Sequence, residues 1–79
     1  MTAKLKGVRR VHIKGEYIKL DALLKFASIV STGGEAKFLI QNGDIYVCGE
    51  PCTQRGRKIR NGDVVRYGSD TVVVKNDSK

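Results

Sequence analysis

The apolar positions of the chain change period along its length. Val11 and Ile13 alternate with His12 and Lys14, the period of a half-buried strand, and Gly15-Glu16 ends it. Leu20, Leu23, Leu24 and Ala27 then recur at i, i+3, i+4 and i+7, which predicts a first helix over roughly 20–29 with one apolar stripe. Asp21 lies near its positive end and Lys25 points off the stripe. A second helix follows, with Ala36, Leu39 and Ile40 as its apolar face. Ser31 or Thr32 is its N-cap, Thr32 and Glu35 fit a capping box, and Asn42-Gly43 is a stop. The link from Ser28 to Ser31 is short, so the two helices pack as neighbours.

After Gly43 the period falls to two. Asp44–Cys48 is a strand rich in β-formers, Gly49-Glu50-Pro51 a turn, and Cys52-Thr53 the start of a return segment. Asn61-Gly62-Asp63 turns the chain into the strand Val64–Tyr67, and Gly68-Ser69-Asp70 turns it into the last strand, Thr71–Val74. The order predicts an α+β fold: two packed helices against a small, mostly antiparallel sheet, with an extra N-terminal strand. Residues 8–75 form one domain between a flexible basic N-terminus, 1–7, and a flexible polar tail, 76–79.

Charge narrows the class of partner. In 79 residues there are 15 Lys and Arg against 8 Asp and Glu, a net charge of +7 and a pI near 9.7. Such a balance implies a polyanion, either nucleic acid or an anionic membrane surface. The chain has no apolar run approaching the ~20 residues of a span, no apolar core of a signal peptide and no basic amphipathic helix with a broad apolar face. It is therefore expected in the cytoplasm, off the membrane. There Cys48 and Cys52 would be reduced thiols, one of them semi-buried in a strand. His12 is the only histidine, so a four-ligand zinc set is not available, and neither metal nor cofactor is expected. Phosphate-loop spacing and a Ser/His/Asp set are both missing from the sequence, which argues against an enzyme.

Two stretches carry candidate chemistry. Gly33-Gly34 opens the second helix, where free N–H groups and the helix dipole favour an anion, and Lys37 follows one turn on. The plainer alternative is that the glycines bend the entry loop or pack tightly against another helix. The second stretch is Arg55-Gly56-Arg57-Lys58-Ile59-Arg60, with four cations in six residues and no acid. Arginine grips phosphate through two donors at once, and Gly56 would let the loop lie flat. Aromatic residues are few: Phe26 and Phe38 are assigned to the core, and Tyr46 and Tyr67 to packing. That leaves recognition of the shape of a folded RNA rather than stacking on single strands.

Lys19-Leu20-Asp21, Leu24-Lys25, Ser31 through Gln41, Gly43 through Glu50, and Gly62-Asp63-Val64-Val65 together resemble the S-four (S4) domain. This is the RNA-binding domain named after protein four of the small ribosomal subunit. The similarity runs from about Lys19 to Val65. Three departures stand out: Gly33-Gly34 lies where most members carry an arginine, Cys48-Gly49 replaces Asn-Gly, and Asn61-Gly62-Asp63 replaces Pro-Gly-Asp. The combination of Ser-Thr-Gly-Gly-Glu-Ala-Lys with Arg-Gly-Arg-Lys resembles a subgroup of very small bacterial S4 proteins linked to ribosome assembly.

The resemblance implies that the second helix and the later loop face structured RNA, most simply ribosomal RNA or its precursor; the protein is expected to act as a monomer. Candidate phosphate contacts are Lys19, Lys25, Gly33, Gly34, Lys37, Arg55, Arg57, Lys58 and Arg60; Thr32 and Gln41 could reach a 2′-OH or a base edge. The rival partners are transfer RNA, a translating ribosome, or DNA read by a helix-turn-helix. For DNA, the second helix offers only Lys37 and Gln41 as readers, which is thin.

Overall fold

The computed structural model describes residues 8–76; of the flexible ends expected at 1–7 and 76–79, all but Asn76 lie outside the described residues. The elements are β1 (Val8–Ile13), β2 (Tyr17–Lys19), α1 (Leu20–Phe26), α2 (Gly33–Gln41), β3 (Ile45–Val47), β4 (Glu50–Pro51), β5 (Lys58–Arg60), β6 (Val64–Tyr67) and β7 (Asp70–Asn76). Two helices and a five-stranded mixed sheet, in the order β1-β7-β6-β3-β4, make the expected α+β domain with its N-terminal strand. Every pair in that sheet is antiparallel except β1–β7, which runs parallel from Val8↔Thr71 to Ile13↔Asn76. The intervening domain is the crossover that a parallel pair requires. A separate two-stranded ribbon pairs β2 with β5, with Ile18 opposite Ile59.

Several boundaries differ from the pattern. α1 ends at Phe26 rather than near Ile29. Ser28 has φ +63°, its N–H donates to the Lys25 carbonyl at 3.0 Å, and Ile29 N–H donates to the Leu24 carbonyl at 2.9 Å. This is a Schellman ending with serine where glycine is usual, so no glycine announced it. α2 ends as expected: Gly43 has φ +84°, and Asp44 N–H reaches the Leu39 carbonyl at 3.1 Å. The β3–β4 turn is Cys48-Gly49, one step earlier than expected, and both residues have positive φ, 51° and 89°. That is the two-residue hairpin geometry Asn-Gly prefers. β7 runs on to Asn76, whose N–H donates to Asn61 Oδ1 at 2.9 Å, so Lys75 and Asn76 belong to the last strand, which the pattern had ended at Val74.

One core joins both layers: Leu20, Leu23 and Leu24 of α1, Ala36 and Ile40 of α2, Ile45, Val65, Val72 and Val74 of the large sheet, and Ile59 of the ribbon are all fully buried. Phe26 and Phe38 are not part of it. They are 60% and 66% exposed, contrary to the assignment from composition. The reason is helical phase. At about 100° per residue, Phe38 lies nearly opposite the middle of the Ala36/Ile40 stripe, and Phe26 sits well off the leucine stripe of α1. Tyr67 packs against the core, while Tyr46 is half-buried on the other face of the sheet. Cys52 is buried, in a loop rather than a strand, and Cys48 is exposed; both are free thiols.

Two left-handed non-glycine residues make a direct test. Ser28→Gly and Cys48→Asn should each raise stability by about 0.5–1 kcal/mol, because each relieves unfavourable backbone geometry. For a domain of this size that is about 2–8 °C in melting temperature. Thermal unfolding followed by circular dichroism checks it; a lowered midpoint would mean that the native side chain makes a stabilising contact.

Candidate nucleic-acid interface

The first turn of α1 has N–H groups with no partner inside the helix. Lys19 is its N-cap and gives no side-chain hydrogen bond. The basic loop supplies the acceptors instead. Leu20 N–H donates to the Arg57 carbonyl at 2.9 Å and Asp21 N–H to the Arg55 carbonyl at 3.2 Å, while Ala22 N–H takes Asp21 Oδ1 at 2.7 Å. The backbone of the loop is thus fixed to the helix while the Arg55 and Arg57 side chains stay exposed.

The loop runs directly into the ribbon. Ile18 and Ile59 turn toward the core, so Tyr17, Lys19, Lys58 and Arg60 share the outer face. Lys19 lies directly opposite Lys58, an arrangement of like charges that weakens a sheet. Lys58 Nζ sits 5.1 Å from the centroid of the Tyr17 ring and the Arg60 guanidinium 6.0 Å from it, within cation–π range. The nearby Asp63 carboxylate is engaged by the Arg60 backbone N–H at 2.8 Å and faces Cys48 Sγ at 3.7 Å.

A second group lies on α2, which packs against α1. Thr32 Oγ1 accepts from Glu35 N–H at 3.1 Å, and Glu35 Oε1 accepts from Ser31 N–H at 2.7 Å, so the capping box closes on Ser31 rather than on Thr32. Gly33 and Gly34 are exposed. A Cβ at Gly33 would meet nothing within 4 Å, and one at Gly34 only Thr32 Oγ1 at 3.9 Å. Tight packing against another helix is therefore not their role. The Glu35 carboxylate at the same helix end offsets part of the dipole's attraction for an anion. Gly34, Lys37, Phe38 and Gln41, spaced i, i+3, i+4, i+7, form one exposed face.

All eleven sequence-derived candidates are exposed. The structure gathers Lys19, Arg55, Arg57, Lys58 and Arg60 into one basic surface at the start of α1. Thr32, Gly33, Gly34, Lys37 and Gln41 share α2, and Lys25 stands apart in the last turn of α1. Sequence reasoning passed over Tyr17, although its i, i+2 spacing from Lys19 was a usable signal, and gave Phe38, which lies on the exposed α2 face, to the core. It also passed over the cross-strand pair Arg66–Tyr46, with the guanidinium 5.3 Å from the ring. That pair lies on the outer face of the large sheet, the face that by strand alternation also holds Arg10 and Lys75. Among the described residues no group of His, Cys, Asp or Glu could hold a metal ion, and no helix is long and apolar enough to cross a membrane.

The sequence profile of the S4 domain matches residues 11–75, which spans every element from β1 to β7. The chain belongs to the S4 domain family. The S4 domain is an RNA-binding domain. Over 66 residues the chain is 39% identical to "Probable ribosome maturation protein RlbA" of Bacillus subtilis (strain 168), covering 80% of this chain and 93% of that protein.

The two ends of the α2 question can be separated by stability. Thr32→Ala should cost about 1 kcal/mol through loss of the cap. Gly33→Ala and Gly34→Ala should leave stability unchanged or raise it by up to about 1 kcal/mol, since the added methyl meets open space. Urea unfolding measures both; a large loss from either glycine variant would restore a structural role for the pair.

Proposed function

We propose that this S4 domain binds structured ribosomal RNA, or a precursor of it, as a monomer, and acts in ribosome maturation by binding rather than catalysis. The observation that carries the reading is the surface at the start of α1. Five cations are held close together, two of them directly opposite on paired strands, and the backbone beneath is pinned by the Arg55 and Arg57 carbonyls. Such an arrangement costs stability in the free protein and becomes favourable against a polyanion. The name of the 39% identical relative supports ribosomal RNA as the target.

The arrangement suits shape recognition. A pinned loop presents arginines at fixed spacing, which matches the fixed spacing of phosphates on a folded RNA. The exposed α2 face adds Lys37 and the open Gly33 and Gly34 backbone, with Thr32 and Gln41 as uncharged donors. Duplex DNA shares the charge but not the geometry, so the preference for RNA should survive at moderate salt where purely electrostatic binding fades.

Titrating a fluorescent rRNA fragment tests the reading. Changing Arg55, Arg57 and Lys58 together to Ala should weaken binding and lower the slope of log affinity against log salt by about 2–3, at roughly 0.7–0.9 per lost phosphate contact. An unchanged affinity and slope would remove the loop from the interface. Gly33→Glu or Gly34→Glu should weaken RNA binding in a protein that still folds, by placing a carboxylate on the α2 face. Undiminished binding would remove that helix end from the interface.

A further inference from the structure

Beside the ribbon, between the β1–β2 turn and α1, lies an open groove of about 430 Å³. Ile18 and Ala22 are among its lining residues, Tyr17 and Phe26 are its aromatic members, and His12 and Lys14 line it from the β1 side. We infer that this groove takes an unpaired nucleobase of the bound RNA, stacked on Phe26 and Tyr17. The inference rests on the RNA-binding reading and adds to it a stacking site for a base, which that reading does not contain.

Three observations support a base as the occupant. Phe26 is 60% exposed and Tyr17 40%, so both aromatic side chains are accessible from solvent. Base stacking on aromatic side chains is sequence-tolerant and a substantial source of affinity. Tyr17 also belongs to both surfaces: it lines the groove, and it carries Lys58 at 5.1 Å and Arg60 at 6.0 Å over its ring. A strand whose phosphates lie on those cations would therefore have a base within reach of the groove. Charge complementarity completes the case. Lys14 lines the groove and Lys58 and Arg60 stand over the ring of Tyr17, one of its lining residues, while the turn between β1 and β2 contributes a single carboxylate, Glu16. A groove with an aromatic lining and cations close by matches a nucleotide, in which a flat apolar base sits next to regularly spaced anions.

Three RNA probes test it: a blunt hairpin, the same hairpin with an unpaired 3′ adenosine flank, and the same hairpin with an abasic flank. The wild-type protein should prefer the adenosine flank. Phe26→Ala should reduce affinity for that probe by on the order of tenfold, leave the blunt and abasic probes unchanged, and keep the salt slope. Phe26→Trp should retain the preference. Equal binding of the adenosine and abasic flanks by the wild type, or an equal loss on all probes in Phe26→Ala, would overturn the base site while leaving RNA binding intact. Failure of the wild type to bind any of the three probes would instead remove the RNA reading on which the site rests. Should Phe26→Ala not fold, 2-aminopurine placed in the flank decides on the wild type. Quenching on binding supports stacking, and unchanged fluorescence of the bound probe overturns it.

Discussion

Two backbone hydrogen bonds, from Leu20 N–H to the Arg57 carbonyl and from Asp21 N–H to the Arg55 carbonyl, fix the layout of the basic surface. They replace the side-chain cap that Lys19 does not give α1. The same contact satisfies two free N–H groups of the helix start and holds a loop that would otherwise be free to move. From there β5 follows at once and pairs with β2, which leads into α1 without a gap. Loop, ribbon and helix start therefore form one rigid corner, anchored by Ile59 and Leu20 in the core. The cations on that corner keep their spacing before any partner arrives, so less freedom is lost on binding.

This corner also shows where folding and function pull apart. Lys19 and Lys58 face each other across the ribbon, and Arg55 and Arg57 crowd the start of the same helix. A sequence selected for stability alone would place an acid in one of these positions. The ribbon is only three residues long on each side, so its holding power comes from Ile18 and Ile59 on the inner face and from the Tyr17 ring beneath Lys58 and Arg60. At the start of α2 the balance differs. Its cap is complete, through Thr32 and Glu35, and the glycines leave the backbone open rather than packed.

Much of the architecture was legible because its signals are local. The leucine stripe of α1, the cap of α2, the Asn42-Gly43 stop and the turns at Asn61-Gly62 and Gly68-Ser69 act over a few residues each. The eleven candidate residues were legible as charges and donors, and all proved exposed. What escaped depends on contacts distant in sequence or on backbone that the residue type conceals. β2 and β5 have one inward residue apiece, too few to show alternation, and exist through each other and the core. Ser28 and Cys48 adopt left-handed backbone where glycine or asparagine would have marked the ending. Phe26 and Phe38 were assigned from hydrophobicity, although helical phase already put them off the buried stripes. Those two exposed rings, with Tyr17, turn a purely electrostatic surface into one that also has aromatic faces.

Whether the pinned basic corner of this S4 domain meets ribosomal RNA is decided by cross-linking in living cells followed by sequencing of the bound RNA. A peak on structured ribosomal RNA or its precursor is expected, and it should diminish when Arg55, Arg57 and Lys58 are all replaced. Recovery chiefly of transfer or messenger RNA, or of no RNA above background, would contradict it.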